Sequence, residues 1–194
     1  RQYVCVALCK DCHQGSRNGW HGQRQMWKLK KMDELDAINV TVERVIDAIL
    51  SGENRRIAVC YTEWAGTHYQ TVVIDWTLID SRQAIRRFAE KLAEAPRQSQ
   101  SWTAVGAALA FSAQRFENSG YASRRRVIDI SGDGRNNDGR PAHLARNDAV
   151  ANGVTINGLP IVNDRPTFGF PPEADLDRYY ETQVIGGQGA FMIV

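Results

Sequence analysis

The sequence predicts an α/β protein with a mostly parallel sheet covered by helices on both faces. Three observations carry that expectation. From about residue 40 onward, apolar runs of strand length alternate with amphipathic stretches of helix length. The run 127–130 is continuously apolar but for Asp129, as strands buried on both faces are, and it leads directly into Gly132-Asp133-Gly134. Open α/β sheets place ligand sites at such carboxyl ends of strands. Finally, the runs 56–63 and 69–76 are joined only by Ala65-Gly66-Thr67-His68. So short a link closes a β-hairpin and makes one antiparallel pair.

The remaining elements follow in order. A first strand is expected at 3–8. Val42, Val45, Ile46 and Ile49 have helical spacing, and Ser51-Gly52 stops that helix. Ser81 caps a helix whose apolar face is Ile85, Phe88, Ala89 and Leu92, ended by Pro96. Residues 103–116 form an alanine-rich helix suited to close packing on a sheet. A strand at 126–131 and a helix at 141–151, opened by Pro141 and ended by Gly153, come next. A strand at 154–159, a Pro-containing loop, a helix at 175–184 and a last strand at 190–194 complete the chain. Helices of this length between strands imply a sheet covered on both sides. No internal repeat is visible.

Composition bounds the function classes. At 194 residues and 43% hydrophobic, the chain suits one domain with a sizeable core. No apolar run reaches the roughly 20 residues of a membrane span. The chain starts at Arg1, and the apolar stretch 4–8 is too short for a signal-peptide core. A processed form, a fragment or a misread start is therefore expected. Residues 1–31 carry a net charge of +6 and the rest −4. The basic residues form no compact stripe, so this segment reads as a solvated end and nucleic acid is not expected as a partner. Three of the four cysteines (Cys5, Cys9 and Cys12) also lie here, so composition changes near residue 40.

Asp133 needs partners to make a site. The stretch 98–106, Gln-Ser-Gln-Ser-Trp-Thr-Ala-Val-Gly, leads into the alanine-rich helix. Thr103 stands at or next to its N-cap, where a hydroxyl serves either the backbone or a metal. Asp133 beside Ser131 is likewise an ordinary composition for a strand end or turn.

Four blocks carry a resemblance: Trp76 to Asp80, Arg126 to Gly139, Val154 to Pro160 and Val184 to Phe191. They resemble the bacterial domain of unknown function 1194, a branch of the von Willebrand factor A-like (VWA) domains, over residues 40–194. The resemblance implies a three-layer Rossmann-like fold with one antiparallel edge strand. It also implies a metal-ion-dependent adhesion site (MIDAS) made by three loops: Asp-x-Ser-x-Ser, a Thr before a later helix, and an Asp after the fourth strand. Thr103 matches the second element and Asp133 the third. For the first, Asp11 follows the first strand, but Asp11-Cys12-His13-Gln14-Gly15 lacks the serines, and Ser16 is one residue out of register. Residues 1–39 are thus an atypical N-terminal segment, either the first strand and helix of the domain or out-of-frame sequence, ahead of the VWA-like part at 40–194. Asn136, Asn137 and Asp138 are expected to form a binding rim. Mg²⁺ or another divalent cation suits such hard oxygen donors.

The same N-terminal segment offers alternatives. Cys9-Lys10-Asp11-Cys12-His13 is the C-x-x-C-H pattern of haem c attachment, with Met26 or Met32 as second axial ligand. Cys5, Cys9 and Cys12 also have radical-SAM spacing, and with His13 they make a candidate zinc knuckle. No G-x-S-x-G elbow, Walker loop or H-E-x-x-H motif is present. Counting twelve positions from Asp129 reaches Arg140, which excludes an EF-hand. Gly186 to Gly189 reads as a tight turn, and Arg126 as an ion-pair candidate for Asp129. The expected protein is a binding module, not an enzyme, that docks a protein partner through a divalent cation. A haem or metal redox protein is the alternative. It is expected to be a monomer or weak oligomer, exported or periplasmic by the family resemblance.

Overall fold

The apolar runs become five strands of one sheet: β1 (Gln2–Cys9), β2 (Ile57–Trp64), β3 (Gln70–Ile79), β4 (Arg125–Gly132) and β5 (Val154–Pro160). This computed structural model of the chain describes residues 2–9, 47, 49–52, 54–95, 101–162 and 173–194. The sheet order is β3-β2-β1-β4-β5. β1 pairs parallel with β2 and β4, and β4 pairs parallel with β5. β3 alone is antiparallel, at the edge beside β2, as the short hairpin link requires. β1 holds the centre, so part of the compositionally distinct N-terminal segment lies in the middle of the sheet.

Four helices are complete among the described residues: α1 (Arg82–Glu94), α2 (Val105–Arg115), α3 (Ala142–Ala151) and the short α4 (Leu176–Tyr179). Ser81 caps α1, its hydroxyl accepting the Ala84 N–H at 3.2 Å. Residues 47 and 49–51 are helical too, within the stretch expected before β2, whereas residues 96–100, Pro96 included, lie outside the described residues.

The period of two in β2 divides the core. Ala58 and Cys60 face a cluster with Leu109 of α2, Ala145 of α3 and Ile128 and Ile130 of β4. Val59 faces the other way, toward Ile79, Ala84 and the half-buried Ile85 and Phe88 of α1. Helices therefore cover both faces. In the helix expected to pack closely, Ala104 and Ala108 are buried, and Ala142, Ala145 and Ala149 of α3 are buried as well. Each large aliphatic chain removed from water here contributes about 1.5–3 kcal/mol.

Three expectations change. The last strand, 190–194, is reduced to a parallel bridge between Met192 and Gly158 after a turn in which Gly187 and Gly189 take positive φ. Phe191, Ile193 and Val194 stay exposed, so their apolar pattern has no face to bury. The helix at 175–184 is α-helical only to Tyr179. The next turn widens to Tyr180–Val184, with Ile185 N–H bonded to the Tyr180 carbonyl at 2.9 Å. Asp129 is paired with Asn157, whose Nδ2 donates to it at 2.8 Å, and it feels Arg125, not Arg126. The strand period explains this: residue 125 shares the face of residue 129, and residue 126 does not.

Candidate functional site

The register aligns the carboxyl ends of the parallel strands, with Cys9 opposite Trp64 and Gly132 opposite Pro160. Three described loops meet at this end: the hairpin turn at 65–69, the entry to α2 at 101–104, and the β4–α3 loop at 133–141. Their backbones are tied by side chains distant in sequence. Asn137 Oδ1 accepts the Thr103 N–H at 2.8 Å, and the Thr103 carbonyl accepts the Asn137 N–H at 2.9 Å. Asn136 Oδ1 accepts the Gly106 N–H at 2.9 Å, and its Nδ2 donates to the Asp138 carbonyl at 3.0 Å. Asp138 Oδ2 accepts both the N–H (2.7 Å) and the hydroxyl (2.9 Å) of Thr67. The Ala65 carbonyl accepts the Ala104 N–H at 2.7 Å, which closes the third side.

This stitching decides what Thr103 does. The residue at the N-cap of α2 is Ala104, which supplies no side-chain cap. Asn136 meets one of the helix's open donors from across the loop, a service worth about 1 kcal/mol. Thr103 is buried, and both of its hydrogen bonds run through its backbone. Its hydroxyl makes none with the described residues. That hydroxyl lies against the Asp133-Gly134 turn, 3.2 Å from where a Cβ on Gly134 would stand.

The glycines around Asp133 are explained by the same crowding. A Cβ on Gly132 would come within 2.6 Å of the Tyr180 hydroxyl oxygen and 3.2 Å of the Trp64 ring. One on Gly106 would overlap the Arg140 carbonyl, so α2 approaches the β4–α3 loop as closely as backbone allows. Asp133 is thereby held half-buried at the tip of β4, beside Thr103.

Of the residues expected at the site, Thr103 lies against the turn that carries Asp133. Asn136, Asn137 and Asp138 stand around it, with their side-chain oxygens engaged as described. The Thr67 N–H and hydroxyl hold the Asp138 carboxyl below its ordinary range, helped by the Gly139 N–H and by His68 nearby. Asp11 and Ser16 lie outside the described residues. So do Cys12, His13, Met26 and Met32, while Cys9 ends β1. Among the described residues, no group of three His, Cys, Asp or Glu side chains is placed to hold a metal. A cation here would have to draw on hydroxyls and single carboxylates. Thr103 and Asp133 fit that donor set, being hard oxygen donors of which the first has no competing bond with the described residues.

Four residues of this region carry no local motif. Thr67 sits in what reads as a plain hairpin turn, yet it binds Asp138. The Tyr179 hydroxyl accepts the Asn136 N–H at 3.2 Å, and burial raises its own pKa. Arg135 lies over the Tyr179 ring, 5.6 Å from its centroid, and pairs with Glu173 at 3.2 Å. Trp102, next to Thr103, is 64% exposed and has a φ of 74°. For a bulky side chain that conformation costs about 1–2 kcal/mol. Only the unusual Ser-Trp-Thr order marks it in the sequence.

A five-stranded, mostly parallel sheet with one antiparallel edge strand and helices on both faces is the VWA-like arrangement. Solved structures agree. The SpRpn10 VWA domain superposes with a TM-score of 0.61 at 8% identity, covering 99% of this chain and 86% of that one. BatB from Bacteroides thetaiotaomicron gives 0.57 at 14%, covering 100% and 90%. Proximal thread matrix protein 1 from the mussel byssus, with a zinc-occupied MIDAS motif, gives 0.59 at 14%, over 84% of this chain. The chain spans about 38% of the length of that mussel protein. No curated protein matches in sequence. The family model described as Protein of unknown function (DUF1194) matches residues 35–194, and the chain belongs to that family.

Proposed function

We propose that the protein is a binding module, not an enzyme, which holds a divalent cation at the loop end of the sheet and docks a protein partner through it. The observation that carries this reading is the Thr103 hydroxyl, which makes no hydrogen bond with the described residues. It is released from capping duty by Asn136 and set against the Asp133-Gly134 turn. Thr103 Oγ1 and the Asp133 carboxylate are the proposed ligands, with Asp11 and Ser16 as candidates from the segment after β1. Asn136, Asn137 and Asp138 shape the rim around them. Mg²⁺ prefers oxygen ligands and keeps waters, so a site with few carboxylates leaves it under-neutralised and able to take an acidic group from a partner. The zinc-occupied MIDAS motif of the mussel protein supports the metal class. The pilus adhesin SpaC from Lactobacillus rhamnosus GG, a further fold relative, accords with a docking role at or outside the cell surface.

Calorimetric titration with Mn²⁺ and Mg²⁺ tests the reading. Wild-type protein is expected to bind one ion, and Asp133→Ala and Thr103→Val are expected to lose it while remaining folded. Folded wild-type protein that takes up neither ion would sink the proposal.

A further inference from the structure

Beside Thr103, on the side of the hairpin turn, opens a pocket of about 490 Å³ lined by residues 66–69, Ser101, Trp102 and Asp138. Its walls have a definite chemistry. Trp102 and Tyr69 offer aromatic surface, and Trp102 is held out into solvent by its left-handed backbone. Asp138 supplies a carboxylate that stays ionised because Thr67 donates to it twice.

The bases of the same loop are turned elsewhere. Arg135 pairs with Glu173 and Arg140 with Asp148. No Lys or Arg pairs with Asp138 among the described residues, and His68 is the only basic side chain in the lining. An anion beside an aromatic wall selects a cationic group, through charge and through the negative face of the ring. Gly66 keeps the floor open, since a Cβ there would stand 3.1 Å from Asp138 Oδ2 and 3.3 Å from the Trp102 Cβ.

We infer that this pocket takes an arginine or lysine side chain of the protein partner, next to the acidic group received at the cation site. The inference rests on the docking function proposed above and names the partner's chemistry: a segment that presents a base beside an acid. Trp102 and Asp138 are its specificity-determining residues. The cation site answers for the acid and this pocket for the base, so the two requirements separate.

The test is selection of a displayed random short-peptide library on immobilised wild-type, Asp138→Asn and Trp102→Ala proteins, each with Mn²⁺ and with EDTA. Thermal melts confirm that each variant is folded, and Trp102→Ala leaves the Asp138–Thr67 bonds untouched. Wild-type selections are expected to enrich Arg or Lys roughly threefold to fivefold near an acidic residue. Both variants are expected to lose the basic preference, and Trp102→Ala, which lies outside the cation-site rim, is expected to keep the acidic one. Wild-type selections without basic enrichment, basic enrichment that survives in both variants, or no selected sequences at all would each overturn the inference. Acidic enrichment that is equal in EDTA, alongside a basic preference that depends on Asp138, supports the pocket and refutes the cation reading alone.

Discussion

The two ends of the sheet are held together by different means. At the amino-terminal end of β4 and β5 the chain turns on glycines: Gly120 and Gly153 take φ of 72° and 77°, with open space where a Cβ would be. Those turns are local, made by the residues that flank them. At the loop end the turns are made by distant partners. Asn137 serves Thr103 across 34 positions, Asn136 serves Gly106 across 30, and Asp138 serves Thr67 across 71. The difference shows how a loop end can be tied down while exposing polar groups. Amide and carboxylate side chains satisfy the loop backbones, and the hydroxyl of Thr103 is kept out of that work.

The largest effect should come from testing that asymmetry with glycine. Gly106→Ala forces a methyl into the Arg140 carbonyl and is expected to cost about 3 kcal/mol or more. Gly153→Ala meets nothing and is expected to cost only the left-handed conformation, about 1–2 kcal/mol. Urea unfolding of both variants measures the contrast, and equal losses would break it. Next, Asn136→Ala removes an acceptor from Gly106 and a donor to Asp138, with an expected loss of about 2 kcal/mol by the same assay.

Smaller still in stability is Thr103→Val. It is nearly isosteric and removes a hydroxyl that bonds to none of the described residues, so stability should change by less than about 0.5 kcal/mol. Cation binding should nonetheless be lost. A large stability loss would mean that the hydroxyl has a structural duty.

The last contrast is in pH dependence and has opposite signs in two carboxylates. Burial raises Asp129 in mid-sheet above its ordinary pKa, so the native state holds that proton longer than the unfolded chain does. Its contribution favours folding below the unfolded value and is lost as pH rises through the folded one. Asp138 at the loop end is lowered, chiefly by the Thr67 N–H. Its contribution is present above the ordinary carboxylate range and is lost as pH falls through the folded value. Asp129→Asn should flatten the first dependence and Asp138→Asn the second, read from denaturant unfolding across acidic pH. If each variant leaves its slope unchanged, the assignment of these shifts is wrong.

Much of the architecture was determined by the sequence by itself. Apolar runs such as 127–130, the hairpin link at 65–68 and the Ser81 cap are local signals, and local sterics and burial enforce them wherever the chain goes. Asp133 between two glycines, and Thr103 before an alanine-rich helix, were legible for the same reason. Where burial did not follow the pattern, the reading failed: 190–194 has the composition of a strand but no neighbouring face to cover it. Only the tertiary structure decided the duties within the site. Whether Thr103 caps its helix or offers its hydroxyl depended on Asn136, which is 33 residues away in the chain. Whether Asp138 stays ionised depended on Thr67 in another loop. A hydrogen bond between distant segments costs the sequence only an ordinary Asn or Thr, residue types common in any turn. Its partner is chosen by the register of the strands, and that exists only once the sheet has formed.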